Sequence, residues 1–404
     1  MIEINIIEKI KRLKIDYDNK KYIKGEQDKE VQIGIREGID VRVYKDRRLN
    51  PMIMREAREQ LELGATPYSV EFLIKELLTH KITEEEFENL IDKSIYIIDI
   101  NWLKNKYKVK EEKTDSIIQY GYPAAFYGAV YGDIAGSRFE YIRNKREDIT
   151  CENCINEKSM ITDDTILSLA TEEGLTEKII YIERELNLED YKKENSYPYL
   201  ENPFNEEYLK YAQRYPDKGY GNWFYQWMVL EEKKPYGSFG NGSAMRVSPI
   251  IDNFNKLDEI IEYAIASSAT THNHMEGIKG AVVTAVAGWM AKHGYKKEEI
   301  VNYILSYYQP EQTKQYIYNH TELKEFTMEE LRQKIGGAIC PFSVPAAAVC
   351  IKYSNSYKEV INNVLSCNGD LDTIGAIAGS IAGYLYGVPE DIRKIVDKKI
   401  SELK

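Results

Sequence analysis

The sequence predicts an all-α protein, and three observations carry that prediction. Strand signals are sparse along the 404 residues. The polar clusters that can carry chemistry sit at helix ends, each directly before an apolar run. From about residue 120 onward, Ala and Gly recur at helical spacing, which lets helices pack closely.

Length and composition bound the answer first. A chain of 404 residues exceeds what one hydrophobic core usually serves, so one large and one small domain are expected. The formal net charge of -11 argues against broad nucleic-acid or anionic-membrane binding and leaves room for a local anion pocket. Five cysteines scattered along the chain fit a reducing compartment better than a disulfide framework. Cys151 and Cys154 make a lone CxxC with no second pair and no nearby His, which reads as an incidental loop pair. The N-terminal MIEINIIEKIKRLK is amphipathic, lacks a secretory core and cleavage site, and points to a cytoplasmic protein. No apolar run approaches the roughly 20 residues that span a bilayer.

Residues 1–115 are rich in Lys, Glu, Ile and Tyr and form the expected small helical region. Within it, QIGIREGIDVRVYKD and EQLELGATPYSVEFL read as two copies of a short helical hairpin, with Gly38 and Gly64 ending a helix in each. The region is either a spacer or an adaptor for a partner or substrate. Residues 106–116, charged and poor in apolar side chains, are the candidate linker, and 116–404 the candidate catalytic domain. There, YPAAFYGAVYGDIAGSRFE places Ala124, Gly128, Gly132 and Gly136 on one helical face, followed by Asp133 and Glu140. Thr162, Asp163, Asp164 and Thr165 precede the apolar start of a helix. Residues 172–230 are charged, tyrosine-rich and broken by Pro198, Pro203 and Pro216, so only short helices fit. Around Ser238 and Asn241, Gly237, Gly240 and Gly242 form a loop that is either a tight turn or a cradle of backbone N–H groups for a diphosphate. Arg246, just beyond, is a candidate partner for a core carboxylate. Residues 260–292 read as one helix or two in succession. His272 and His274, two apart, do not share a helix face, which argues against joint metal binding and for a hydrogen-bonding contact by one of them. A buried helix over residues 343–351 and an amphipathic one over 359–366 lead to NGDLDTIGAIAGSIAGYLYG, and the tail VPEDIRKIVDKKISELK reads as a charged amphipathic helix.

That penultimate stretch organises the rest. Asp370, Asp372 and Thr373 crowd at the mouth of a small-residue helix, where two anions repel unless a cation, a proton or the helix N-terminus compensates them. Alone, they read equally as a helix cap. Joined to the distant group at Thr162, Asp163 and Asp164, they would make an oxygen-only site for two divalent ions, suited to Mg²⁺, Mn²⁺ or Ca²⁺ rather than zinc.

TDDT, NGDLDTIGAIAG, GDIAGSRFE, FGNGSAMR and THNH together resemble the ADP-ribosylglycohydrolases, the family that includes the dinitrogenase-reductase-activating glycohydrolase. The resemblance covers about residues 120–390. It implies an orthogonal helical bundle with a cleft over two Mg²⁺ or Mn²⁺ ions, held by Thr162, Asp163, Asp164, Asp370, Asp372 and Thr373. It implies further that Glu140 closes over the substrate and that Asp163 or Glu140 assists catalysis. Gly221, Ser238, Phe239, Gly240, Asn241, Gly242 and His272 would line the ADP-ribose pocket, with His274 and Glu276 solvated or behind it. The implied activity is hydrolysis of an ADP-ribosylated protein or small acceptor. The chain departs from the family pattern where Asn368 replaces a glycine, Leu371 a small hydroxyl residue and Met275 a proline. An ADP-ribose-binding module with little turnover, an adaptor acting through residues 1–115 and a metal hydrolase of another substrate stay open beside the enzyme.

Overall fold

The computed structural model describes residues 20–37, 39, 41–62, 67–81, 83, 84, 87, 107–109, 117–140, 148–176, 203–230, 233, 235–308, 326–333 and 337–403. The amphipathic N-terminus, Gly38, Gly64 and most of the 106–116 connection lie outside the described residues. Among the described residues the regular structure is helical, with one isolated antiparallel bridge between Gly240 and Ile339. The chain divides into two compact units, Met1–Asp99 and Ile100–Lys404.

The first unit contains α1 (Lys20–Arg36), a 3₁₀ turn (Val41–Val43), α2 (Pro51–Glu62) and α3 (Pro67–Leu78). Asn50 starts α2 by accepting the Ile53 N–H at 2.9 Å, and Pro51 fills the first helical position, where its missing N–H costs nothing. Buried Ile53, Met54, Val70, Leu73 and Ile74 supply the apolar core. Glu30, 1% exposed, is held by Arg55 and Arg58 at 3.1 Å each, so removing either arginine would weaken the compensation of a buried anion.

In the second unit the helices are α4 (Ala124–Gly136), α5 (Asp163–Thr176), α6 (Pro203–Arg214), α7 (Asn222–Val229), α8 (Ser248–Asn253), α9 (Leu257–Ala269), α10 (Met275–Lys292), α11 (Lys297–Ser306), α12 (Met328–Gln333), α13 (Cys340–Lys352), α14 (Tyr357–Ser366), α15 (Leu371–Tyr386) and α16 (Glu390–Ser401). α15 is the centre, buried from Leu371 to Tyr384 and surrounded by α4, α10, α13 and α14. A helix apolar on every side must be enclosed in this way.

Its closest neighbour is α4, which runs antiparallel to it. Gly128 faces Gly379, Gly132 faces Gly375, and Gly136 lies against the backbone of Leu371 and Asp372. A Cβ at any of these glycines would come closer than 3.0 Å to backbone of the other helix, so only glycine permits the approach. The small-residue face read from the sequence is therefore the interface that fixes Asp133 on α4 beside the start of α15. The N-terminus of α4 is tied by Asp252, whose carboxylate accepts from the Ala125 and Phe126 N–H groups at 3.1 and 2.8 Å.

Of the two alternatives read over residues 260–292, the structure has two helices, α9 and α10, and both His272 and His274 lie in the connection. There His274 caps α10, its Nδ1 accepting from the Glu276 N–H at 3.1 Å. The buried helix expected over 343–351 begins earlier, at Cys340, with Pro341 in its first turn and Pro345 carried inside. All five cysteines are free and buried, Cys151 and Cys154 packing around the Tyr131 hydroxyl. Among the described residues no helix is long and apolar enough to cross a membrane.

Candidate active site

The packing of α4 against α15, and of α5 against α4, brings three carboxylates from distant parts of the chain together. One oxygen each from Asp133, Asp164 and Asp372 lie within 4.8 Å of one another, and so do oxygens of Glu140, Asp370 and Asp372. Asp372 belongs to both groups. Asp133, Asp164, Asp370 and Asp372 are all buried, and none is ion-paired to a Lys, Arg or His among the described residues. Glu140 is exposed at the rim.

Asp133 was passed over as a functional residue in the sequence, yet it stands at the centre. Its two oxygens accept from the Thr162 N–H and hydroxyl (3.1 and 2.9 Å) and from the Thr165 N–H and hydroxyl (3.3 and 2.5 Å), which clamps the start of α5 onto α4. Thr162 Oγ1 also sits 3.0 Å from Asp164 Oδ2. A hydroxyl has one proton for these two carboxylates, so the second approach calls for a proton on a carboxyl or a cation beside it. Asp164 Oδ1 is buried without any hydrogen-bond partner, a costly state for an anion in protein.

Electrostatics agree with the geometry. Burial pushes the Asp133 carboxyl up to about 6, against the threonine donors that pull it down. Burial, reinforced by Asp133, drives Asp163 and Asp164 well above the ordinary carboxylate range; burial and then Asp370 do the same to Asp372. Desolvation and the Asp370 charge also raise Glu140. Neutralising this crowd takes protons or hard cations. Oxygen ligands about 2.1 Å from Mg²⁺ stand about 4 Å apart across the ion, a spacing these side chains reach with small adjustments. The donor set and the orphaned Asp164 oxygen fit divalent cations.

The glycine loop meets the acidic group through one side chain. Asn241 Nδ2 donates to Asp370 Oδ2 and to Ser343 Oγ, each at 2.8 Å. The loop is pinned to the start of α13 by the Cys340 N–H on Phe239 O (3.0 Å) and the Asn241 N–H on Ala338 O (3.2 Å). Ser238 Oγ accepts from the Gly240 N–H at 3.1 Å. His272, 6% exposed, lies with its imidazole edge against Gly240 and Gly242, where a Cβ would sit 3.4 and 3.1 Å from Nε2.

A family model described as ADP-ribosylglycohydrolase matches residues 122–403, nearly the whole of the unit that carries this site. The chain belongs to the ADP-ribosylglycohydrolase family. Among its relatives, ADP-ribosylhydrolase ARH3 of Xenopus tropicalis is 26% identical over 64% of this chain and 85% of its own length. The human ARH3 is 28% identical over 38% of this chain, which spans about half (52%) of that relative. ADP-ribosylarginine hydrolase Tri1 of Pseudomonas putida is 28% identical over 39% of this chain and 42% of its own length. A solved structure described as an ADP-ribosylglycohydrolase-related protein complex aligns with a TM-score of 0.46 at 17% identity, covering 70% of this chain and 95% of that one.

The remaining residues singled out in the sequence take varied places. Asp163 opens α5, partly exposed, outside both tight carboxylate groups; its N–H donates to Lys218 O at 2.7 Å, and Gly219, at φ +91°, passes close to its carboxylate. Thr373 is buried, its N–H on Asp372 Oδ1 at 3.0 Å. Asp370 occupies the N-cap position of α15 and makes no side-chain capping bond, so the simple helix-cap reading of that cluster does not hold. Gly221 stands exposed before α7 with open space around it. Phe239 packs its ring on His274, 5.2 Å between centroids. Glu276, expected to be solvated or behind the pocket, pairs with Lys279 at 2.6 Å. Arg246, a candidate carboxylate partner, has no carboxylate beside it among the described residues: it is fully buried among carbonyl and hydroxyl oxygens.

Proposed function

We propose that this chain is a divalent-cation-dependent hydrolase that releases ADP-ribose from a modified protein or small acceptor. The observation that carries this reading is the pair of carboxylate groups sharing Asp372, with an unsatisfied Asp164 oxygen in one of them. Asp133, Asp164 and Asp372 would hold one cation and Glu140, Asp370 and Asp372 a second, with the Thr162 and Thr373 hydroxyls in support. When bound, two such ions supply Lewis acidity that orients ribose hydroxyls and lowers the pKa of water near the anomeric carbon.

The chain's own groups do the rest. Asp163, outside both carboxylate groups and partly exposed, stands where its carboxylate can take a proton from water. Glu140 at the rim stands where it can cover the reacting bond. The loop from Ser238 to Gly242, with His272 beneath it, would cradle the diphosphate; the Gly240 and Asn241 N–H groups are already engaged by Ser238 Oγ and Ala338 O, so the contacts fall to the Ser238 and His272 side chains. Asn241 ties that cradle to Asp370, so nucleotide position and the acidic group move as one. The similarity to an ADP-ribosylhydrolase and an ADP-ribosylarginine hydrolase supports this class of substrate.

The test is mass spectrometry of products from substrates ADP-ribosylated on arginine, serine, another amino acid or a nucleobase, with Mg²⁺ or Mn²⁺ and with EDTA. Free ADP-ribose from at least one substrate, abolished by EDTA and by Asp372→Asn, is expected. Equal release with and without EDTA would overturn the cation role, and no release from any of them alongside tight ADP-ribose binding would favour a binding module.

A further inference from the structure

Arg246 has no role in the scheme above, yet its surroundings are unusual. It is fully buried, has no carboxylate partner among the described residues, and leaves Nε and Nη1 without hydrogen bonds. Nη2 donates to Ser267 O at 2.7 Å and to the hydroxyls of Thr271 and Thr270 at 2.9 and 3.3 Å, while the guanidinium lies 4.2 Å over the Tyr208 ring. A guanidinium is always charged and only donates. Thr271 Oγ1 must therefore accept from Arg246; its second lone pair can take the Tyr236 hydroxyl, which burial keeps protonated, and its single proton is then left for another partner. That partner is His272 Nδ1, 2.7 Å away.

The consequence falls on the other ring nitrogen. Burial, with the Arg246 charge behind it, holds His272 well below the ordinary histidine range, so the ring is neutral and carries one proton. With Nδ1 accepting, that proton sits on Nε2. Nε2 has no protein partner among the described residues and faces Gly240 and Gly242, whose missing Cβ atoms keep the approach open.

We propose that Arg246 and Thr271 are positioning residues that lock His272 in its Nε2–H tautomer, presenting a fixed neutral donor to an anionic oxygen of the nucleotide held over Gly240 and Gly242. The ligand half of this statement rests on the ADP-ribose reading above; the tautomer half does not.

The experiment is ¹⁵N NMR of the imidazole nitrogens in ¹⁵N-histidine-labelled full-length protein, with His272→Asn assigning the resonance among the five histidines. Wild type should show Nδ1 as the bare acceptor and Nε2 as the protonated nitrogen. Thr271→Val should shift His272 toward the Nδ1–H form or a mixture, and Thr271→Ser should restore the wild-type pattern. ADP-ribose affinity should fall about tenfold in Thr271→Val, the usual effect of misdirecting one charge-assisted hydrogen bond, and recover in Thr271→Ser. A wild-type His272 protonated at Nδ1, or a Thr271→Val protein with an unchanged tautomer, would overturn the proposal. The wild-type spectrum decides it even where a variant does not fold. A protein that binds no ADP-ribose yet shows the expected ring pattern would instead count against the substrate reading and leave the lock standing.

Discussion

Replacing Gly375 with alanine probes how the fold builds the site. A Cβ there would lie 2.5 Å from Gly132 O, 2.8 Å from Gly132 C and 3.1 Å from Gly132 Cα, whereas ordinary contact begins at 3.4 Å. The obstacles are backbone atoms and cannot rotate away, so α4 and α15 must separate by about 1 Å. Overpacking of this kind costs about 1–3 kcal/mol, and the upper end applies because neither helix can yield locally. Alanine returns about 1 kcal/mol in helix propensity. The net loss is about 2 kcal/mol, a melting shift of about 4 °C for a unit of this size. The functional loss should be larger, since α4 carries Asp133 and α15 begins beside Asp370 and Asp372, and a displacement of about 1 Å can cost about 100-fold in rate. Thermal melting followed by circular dichroism, together with ADP-ribose release, measures both. A Gly375→Ala protein that melts at or above the wild-type temperature and turns over normally would refute the reasoning. Gly25→Ala is the control: nothing lies within 4 Å of a Cβ in that exposed turn of α1, so it should stabilise by up to about 1 kcal/mol.

Asp164→Asn removes a buried, unsatisfied anion; at pH 8 in EDTA it should melt higher than wild type, while cation-induced stabilisation and turnover are lost, and a lower melting temperature in EDTA would contradict the stated cost of that charge. Cations compete with protons for carboxyls whose folded pKa is raised, so the melting increment from Mg²⁺ or Mn²⁺ should be small at pH 5, below the value of about 6 for Asp133, and grow toward pH 8; an increment independent of pH would count against the site. His274 is held down to about 4 by burial and then Lys279, so its neutral capping role stabilises fully above the unfolded value near 6.5 and is lost as pH falls toward 4. His274→Asn, which keeps a capping acceptor without a titrating ring, should flatten the melting temperature across that window, and an unchanged acid limb would contradict this. Asn241→Asp would set a carboxylate beside Asp370, 2.8 Å from the present amide nitrogen, and should weaken ADP-ribose binding in calorimetry by more than tenfold; wild-type affinity would break the proposed link between the loop and the acidic group.

Much of this architecture can be read from the chain. Gly128, Gly132 and Gly136 on one segment and Gly375, Gly379 and Gly383 on another recur every four residues, and such spacing admits few interpretations besides two helices in close contact. The Thr-Asp-Asp and Asp-Leu-Asp clusters stand out because like charges gather at helix starts. Asp133 does not stand out: it is one acidic residue in a run otherwise suited to packing, and only the folded chain brings Thr162 and Thr165 to it. The Asn241 bond to Asp370 joins residues 129 apart in sequence, beyond any local pattern. The position of the break between α9 and α10 is hard to read for another reason. No Gly or Pro interrupts residues 260–275, and the helix ends because Ser, Thr and His side chains bond the nearby backbone, as Ser268 Oγ does to His272 O and His274 Nδ1 to the Glu276 N–H.

The account depends most on whether the carboxylates of α4, α5 and α15 gather divalent cations. Anomalous diffraction from crystals grown with saturating Mn²⁺ tests this directly. Two peaks are predicted, one among Asp133, Asp164 and Asp372 and one among Glu140, Asp370 and Asp372, with both lost in Asp372→Asn. Anomalous maps empty at both positions in the wild-type protein would contradict it.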